Sequence, residues 1–116
     1  MADMQQFLYT THLVRPGMLR DGPTAKEQAT VTRHFNYLKA LAAQGVVLLA
    51  GRTQTTDEHT FGICILQAES EDAVRRVMEN DPAVLGRVMR ATLYPYRMAI
   101  VGKISRRRGR RRATRS

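Results

Sequence analysis

At 116 residues the chain is long enough for one domain and too short for two ordinary hydrophobic cores. An apolar fraction of 43% with 25% charged residues is typical of a globular protein and excludes a chain that is disordered throughout. No apolar stretch approaches the roughly 20 residues that a membrane-spanning helix needs, so we expect no membrane insertion.

The net charge of +9 is concentrated at the C-terminal end of the chain. Lys103 and the seven arginines that follow it supply eight positive charges, and no acid lies among residues 103–116. Subtracting these eight from +9 leaves +1 for residues 1–102. We therefore predict a folded domain over residues 1–102 and a basic, disordered tail over residues 103–116.

The basic tail allows two interpretations. Guanidinium groups displace the counterions condensed on a phosphate backbone, so residues 103–116 could bind nucleic acid without sequence preference. The tail lacks the interleaved aromatic residues of a base-stacking surface, however, and incidental solvated tails are common. Nucleic-acid binding is one hypothesis for these residues and a tail without a role is the other.

Cysteine usage and the N-terminal residues predict a cytoplasmic protein. Cys64 is the lone cysteine and cannot form an internal disulfide, and Asp3 interrupts any basic-then-apolar leader. Cys64 lies in an apolar run and is expected to be a small buried hydrophobic residue. The three histidines fall in separate predicted elements and complete no ligand spacing with Cys64, so we predict no metal and no cofactor.

The first half of the chain predicts a strand followed by a helix. Residues 5–14 are rich in aromatic and β-branched residues, and their alternation places four on one face: Phe7, Tyr9, Thr11 and Leu13. A loop is predicted over residues 15–23. Thr24 and Glu27 form a capping box that begins a helix over residues 25–44, which Gly45 ends. The expected apolar stripe is Val31, Phe35, Leu38, Leu41 and Ala42.

The second half predicts two strands, a helix and a last strand. Residues 46–51 and 60–66 are short apolar runs joined by a polar loop, which is typical of an antiparallel pair. Ser70 is expected to cap the second helix. Asp81 and Pro82 then suit the start of a short helical turn through Leu85, and the final strand is predicted over residues 90–101.

This order, β-α-β-β-α-β, indicates an α+β fold of the ferredoxin-like, split βαβ kind, with both helices on one side of a four-stranded antiparallel sheet. The second and third strands are apolar on both faces, so the uncovered sheet face should also be hidden from water. A second copy of the chain is the simplest cover. The sequence therefore predicts a homodimer.

Residues 4–101 resemble the YciI-like (YCII-related) family in three stretches. Residues 33–41, which contain His34 and lead to Gly45, are similar to the family's first helix. Residues 46–51 resemble its apolar strand that closes in Ala-Gly. Residues 79–84 and 93–96 resemble its Asp-Pro element and closing strand.

The resemblance implies a dimeric α+β barrel and a His/Asp pair as the proposed active site, which matches His34 and Asp81. The chain has Arg52 after Gly51 where many relatives have proline. A cation there could favour an anionic ligand at the rim of a pocket, or it could mark a solvated loop.

His34 and Asp81 also have plain structural explanations. A histidine at the edge of the helical stripe can be a general base or acid, or a boundary residue bonded to a backbone carbonyl. Asp-Pro at a helix start is explained completely by capping. The two roles of Asp81 are compatible, since a capping carboxylate can still accept a bond from an imidazole ring.

Three classes of function remain open at this level. The first is a small-molecule enzyme without cofactor, of lyase or isomerase type, in which His34 moves a proton and Asp81 orients its ring. Arg52, Arg97 and Tyr37 would contact the substrate in a pocket between the first helix, the Asp81 turn and the sheet. The second is a ligand-binding or regulatory module that uses the same pocket. The third is a nucleic-acid-associated protein that binds through residues 103–116.

Overall fold

The structure is a computed structural model and describes residues 3–104. Most of the predicted basic tail lies outside these described residues, so the boundary after residue 102 stays a prediction. The strands are β1 (Gln5–Leu13), β2 (Val47–Arg52), β3 (Gly62–Ala68) and β4 (Met89–Pro95). The helices are α1 (Gly17–Asp21), α2 (Ala25–Ala43), α3 (Glu71–Glu79) and α4 (Pro82–Leu85).

The four strands form one antiparallel sheet in the order β2-β3-β1-β4. The first strand is central, and Tyr9 on it stands opposite Cys64 of β3 and Leu93 of β4. The helices α2, α3 and α4 pack against the sheet and against one another. This is the split βαβ arrangement, and it confirms the predicted ferredoxin-like α+β fold.

Alternation along β1 separates a covered sheet face from an open one. Phe7, Tyr9 and Thr11 are buried, whereas His12 is exposed. The covered face packs against α3 to form the hydrophobic core. Its buried residues are Phe7, Tyr9, Val47, Cys64, Leu66, Val74 and Met78. The predicted shared face of the first strand is present: Phe7, Tyr9 and Thr11 are buried on it, and Leu13 at its end is half-buried.

The capping box predicted for the long helix is present. The Glu27 amide donates to Thr24 Oγ1 at 3.1 Å, and the Thr24 amide donates to Glu27 Oε1 at 2.9 Å. Arg15 adds two bonds from its guanidinium to the Glu27 carboxylate, at 2.8 and 2.6 Å. These charge-assisted bonds lower the pKa of Glu27 to about 2. The helix ends at Ala43 with Gln44 as its C-cap, and Gly45 follows with a φ of +80°, which prevents the helix from continuing.

The predicted apolar stripe of α2 is wrong at Phe35, which is 63% exposed, and at Ala42, which is also exposed. The side of α2 that is turned inward carries Thr30, His34, Tyr37, Leu38 and Leu41, which recur at the three- and four-residue steps of a helix face. Phe35 follows His34 by one residue and so lies about 100° around the helix from it. The prediction chose residues by apolarity, whereas the inward face includes a threonine, a histidine and a tyrosine.

The predicted loop over residues 15–23 contains the five-residue helix α1. Pro16 precedes it with a φ of −58°, a value that suits the entry to a helix. Met18 is buried and anchors the segment. Glycine and proline disfavour strand pairing, and no strand forms over residues 15–23, but they allow one short helical turn.

The last strand ends at Pro95, so the prediction that it continues to residue 101 is wrong. The register pairs Pro95 with Phe7, and β1 begins only two residues earlier, at Gln5. The Tyr96 amide still donates to the Gln6 carbonyl at 3.1 Å. Because β1 begins at Gln5, the residues after Tyr96 have no further residues of β1 opposite them with which to pair.

The face of the sheet opposite the helices, here called the open face, carries apolar side chains from all four strands. By register these include Leu8, Leu49, Ile63, Ile65 and Tyr94. Leu49 is 41% and Tyr94 46% exposed.

None of the helices within residues 3–104 has the length and apolar composition that a membrane-spanning helix needs.

The open face gives a testable form to the predicted homodimer. Sedimentation at micromolar concentration should give twice the mass of 13.1 kDa. Leu49→Glu should shift the protein toward the monomer, because it places a charge within the apolar contact. Leu85→Glu, at a 65% exposed position in the helix layer, is the matched control and should leave the dimer intact. A well-folded wild-type monomer would contradict the prediction.

Candidate active site

His34 and Asp81, which are 47 residues apart in sequence, contact each other directly. Nδ1 of His34 lies 2.7 Å from Oδ1 of Asp81 and 2.9 Å from Oδ2. His34 comes from the inward side of α2, and Asp81 is the residue that caps α4. The structure thus brings together the two residues that the sequence singled out.

The Asp81 carboxyl group is fully buried and has further hydrogen-bond donors on both of its oxygens. Oδ1 accepts from the Ala83 amide at 2.9 Å, which is the capping bond of α4. Oδ2 accepts from the hydroxyl of Tyr9, also at 2.9 Å. The capping role and the contact with His34 are therefore both present, because one carboxyl group can accept several bonds.

The corner between α3 and α4 holds Asp81 in place. Its amide donates to the Met78 carbonyl at 3.2 Å, and its own carbonyl accepts from the amides of Val84 and Leu85. Pro82 occupies the first position of α4, where its missing amide proton leaves no donor unpaired. The backbone of Asp81 is thus fixed on both sides, and its side chain is directed under α2.

The His34 side chain is 16% exposed, so it lies at the boundary between the core and solvent. Its Nδ1 is occupied by Asp81, and within residues 3–104 its Nε2 has no hydrogen-bond partner. In a neutral ring whose Nδ1–H donates to a carboxylate, Nε2 carries the free lone pair. The arrangement can accept a proton at Nε2 and stabilise the resulting imidazolium through Asp81.

Tyr9 is a member of the site that the sequence predicted only as one of four residues on the same face of the first strand. Its side chain is fully buried. Burial, with added effects from Cys64 and Asp81, raises the pKa of Tyr9 far above its usual value, so the hydroxyl remains a donor. A signal for this role was present: alternation turned Tyr9 inward, and a buried tyrosine hydroxyl requires a hydrogen-bond partner.

The residues predicted to contact a substrate lie in three different places. The Tyr37 hydroxyl donates to the Val77 carbonyl at 2.7 Å and so joins α2 to α3. Arg52 is exposed at the end of β2, and its guanidinium is 3.5 Å from the Thr53 carbonyl. Arg97 is exposed just after β4. Within the described part of the chain, none of the three forms a hydrogen bond with His34 or Asp81.

Two surface clefts lie away from the His34–Asp81 contact. One, of about 310 Å³, is lined by Arg52 with Gly51, Thr53, Phe61 and Ile63. The other, of about 250 Å³, lies beside the first turn of α2 and residues 86–88. Neither cleft is lined by His34 or Asp81.

Residues 3–104 contain no group of three or more histidine, cysteine, aspartate or glutamate side chains that could hold a metal ion. The fold and the site together define an α+β domain with a histidine held by a buried carboxyl group. The family model of the YCII-related domain matches residues 10–95, so the chain belongs to the YCII-related domain family. The predicted family is confirmed.

Solved structures support the fold assignment. The chain is similar to 5-chloro-2-hydroxyhydroquinone dehydrochlorinase from Burkholderia phenoliruptrix, determined in complex with 2,5-dihydroxybenzoquinone, at 22% identity. That match covers 78% of this chain and 93% of the dehydrochlorinase, with a TM-score of 0.57. An uncharacterised protein from Thermotoga maritima matches at 12% identity over 82% of this chain and 100% of its own, with a TM-score of 0.51. No curated protein sequence matches the chain significantly.

The contact between His34 and Asp81 predicts the tautomer of the ring. In the wild type, ¹⁵N NMR should show the neutral His34 ring protonated at Nδ1. In Asp81→Asn, the amide can donate to Nδ1, so the proton should move to Nε2. Asp57→Asn is the control: it changes an exposed loop carboxylate that accepts a hydrogen bond from the His59 amide, and it should leave the His34 signals unchanged. The same His34 tautomer in wild type and Asp81→Asn would contradict the pairing.

The buried thiol of Cys64 predicts a loss of stability in alkali. Burial raises the pKa of Cys64 to about 12, whereas an exposed thiol titrates near 8.5. The unfolded chain therefore releases this proton at lower pH than the folded chain. The contribution to the free energy of unfolding is constant below pH ~8.5 and falls by up to about 1.4 kcal/mol per pH unit as the pH rises toward ~12.

Urea unfolding between pH 8 and 11 should show a shallower decline for Cys64→Ala than for the wild type. The variant is less stable at every pH because it leaves a small cavity, so the slope with pH is the informative quantity. Equal slopes for the two proteins would show that the thiol is not the group responsible.

Proposed function

We propose that this protein is a small-molecule enzyme that uses no cofactor, with Nε2 of His34 as the general base and Asp81 as its partner. The supporting observation is the double contact of Nδ1 with a fully buried carboxyl group, at 2.7 and 2.9 Å, which leaves Nε2 directed away from it. A histidine bonded only to a backbone carbonyl would not have this arrangement.

The proposed step is a proton transfer. Nε2 takes a proton from an acidic C–H or O–H of the substrate, and Asp81 stabilises the positive charge that develops on the ring. The electron pair released on the substrate forms a double bond. In an elimination that pair displaces a leaving group, which departs with its own bonding electrons. In an isomerisation the imidazolium returns the same proton to a different atom.

Hydroxylated aromatic compounds and their quinones are the substrate class that we would test first. A structural neighbour is named as a dehydrochlorinase of a chlorinated hydroxyhydroquinone and binds a dihydroxybenzoquinone. Such compounds carry acidic hydroxyl groups, and the chlorinated members also carry a halide that can leave. Arg52 and Arg97 would attract their anionic forms, and we propose that the enzyme acts as a cytoplasmic homodimer.

A ligand-binding module without chemistry is the second candidate. It is favoured by the limited exposure of the His34 side chain, 16%, and by the absence of His34 and Asp81 from the two clefts described above. In that case a ligand would bind at the ring edge or near Arg52, and no bond would change.

Chloride release from chlorinated hydroxyhydroquinones, followed together with their ultraviolet spectra, tests the proposal. General acid–base catalysis contributes about 10²- to 10⁴-fold, so His34→Gln should lose that much of kcat/KM. His59→Gln, at an exposed loop histidine, is the matched control and should retain full activity. His59→Gln should keep the melting temperature of the wild type, and the His34→Gln protein is assayed at a temperature at which circular dichroism shows it to be folded, because it changes a contact of the buried Asp81 carboxyl group. Activity that survives in His34→Gln would overturn the proposal, and a ligand-induced rise in melting temperature without turnover would favour the binding module.

A further inference from the structure

We infer that Tyr9 is the positioning residue of the site: its hydroxyl fixes the plane of the Asp81 carboxyl group and thereby the orientation of the His34 ring. The inference rests on the proposed function, since it assigns Tyr9 a role in aiming Nε2. The observation behind it is the 2.9 Å hydrogen bond from the Tyr9 hydroxyl to Oδ2 of Asp81, between two fully buried side chains.

The distribution of donors over the two carboxyl oxygens shows what this bond does. Oδ1 is held by the Ala83 amide, which belongs to the same turn as Asp81. His34 shares its Nδ1 between Oδ1 and Oδ2. Apart from His34, the Tyr9 hydroxyl is the donor on Oδ2 among the described residues. Without it, the carboxyl group could rotate about the bond to its carbon chain and carry the ring with it.

Tyr9 also connects the site to the sheet. It lies on the central strand, paired on both sides, whereas His34 and Asp81 both belong to the helix layer. Of the three side chains, Tyr9 alone comes from the sheet. Its hydroxyl therefore sets the position of the pair relative to the sheet, which a contact within the helix layer cannot do.

The hydroxyl keeps its proton throughout the ordinary pH range, because burial raises the pKa of Tyr9 strongly. It therefore acts as a fixed donor and not as a second base. Its removal should lower activity at all pH values without adding a new step to the pH profile. This separates a positioning residue from a catalytic one.

A purely structural role is the competing explanation, since a buried tyrosine hydroxyl needs an acceptor and Asp81 supplies one. A structural role predicts that loss of the hydroxyl lowers stability and leaves the His34 ring unchanged. A positioning role predicts a change at the ring itself. The distinction can be measured without a substrate.

The experiment compares Tyr9→Phe with Tyr37→Phe in the full-length protein. Tyr37→Phe is the control, because it also removes a tyrosine hydroxyl next to α2, but one that donates to the Val77 carbonyl of α3 and not to Asp81. In Tyr9→Phe, the Nδ1 proton of His34 should exchange with water about tenfold faster than in the wild type, a change equivalent to the loss of one hydrogen bond. Once a substrate is known, kcat should fall by a similar factor with KM nearly unchanged.

Unchanged exchange and unchanged ring ¹⁵N shifts in a folded Tyr9→Phe protein would overturn the inference, as would an equal effect of Tyr37→Phe. If Tyr9→Phe does not fold, a ring-fluorinated tyrosine at position 9 keeps the hydroxyl and makes it a stronger donor. That protein should shift the His34 Nδ1 proton resonance, and the same replacement at position 37 should not. The absence of any shift would also overturn the inference.

The ring measurements need no turnover, so the two proposals can fail separately. If the His34 ring signals change in Tyr9→Phe but the wild-type protein converts no substrate, the proposed enzymatic function is wrong and the positioning role of Tyr9 is retained. Turnover that depends on His34, together with His34 ring signals that do not change in Tyr9→Phe, would retain the proposed enzyme and overturn the role of Tyr9.

Discussion

The buried carboxyl group of Asp81 is the constraint on which the rest of the site depends. Moving an ionised carboxylate out of water costs several kcal/mol unless it is paired and hydrogen-bonded. Here its donors come from β1, α2 and the first turn of α4, through Tyr9, His34 and Ala83. The group is satisfied only when all three elements are in place, so its hydrogen bonds and the packing of the helix layer on the sheet require each other.

This dependence explains why α4 begins where it does. Asp81 caps α4 and Pro82 starts it, and together they turn the chain so that the carboxyl group points under α2. A capping aspartate on an exposed helix would leave its free oxygen to water. In this fold the second oxygen meets Tyr9 and His34, so a local capping motif also supplies the polar centre of a candidate active site.

The sequence predicted the fold well where local chemistry and periodicity agree. The capping box at Thr24 and Glu27, the alternation of Phe7, Tyr9 and Thr11, and the order of the elements are all present in the structure. The pairing of His34 with Asp81 came from the family resemblance, because periodicity places each residue on its own element and does not say which elements meet. Their catalytic role remains a proposal.

The failures have physical causes that a single sequence does not reveal. The end of β4 is set by the start of β1 through the register, which pairs Pro95 with Phe7. Phe35 was assigned to the inward stripe for its apolarity, but the inward face of α2 is partly polar because it must supply His34. Alternation places Tyr9 on one face of β1, but its bond to Asp81 joins residues 72 positions apart, which periodicity along a strand does not predict.

A crystal structure of the protein with a bound hydroxylated benzoquinone would show whether His34 is the base. We predict that an oxygen or an acidic carbon of the ligand lies within about 3.2 Å of His34 Nε2, while Nδ1 keeps its contact with Asp81. A ligand bound only beside Arg52, with Nε2 of His34 bonded to a backbone carbonyl, would contradict it.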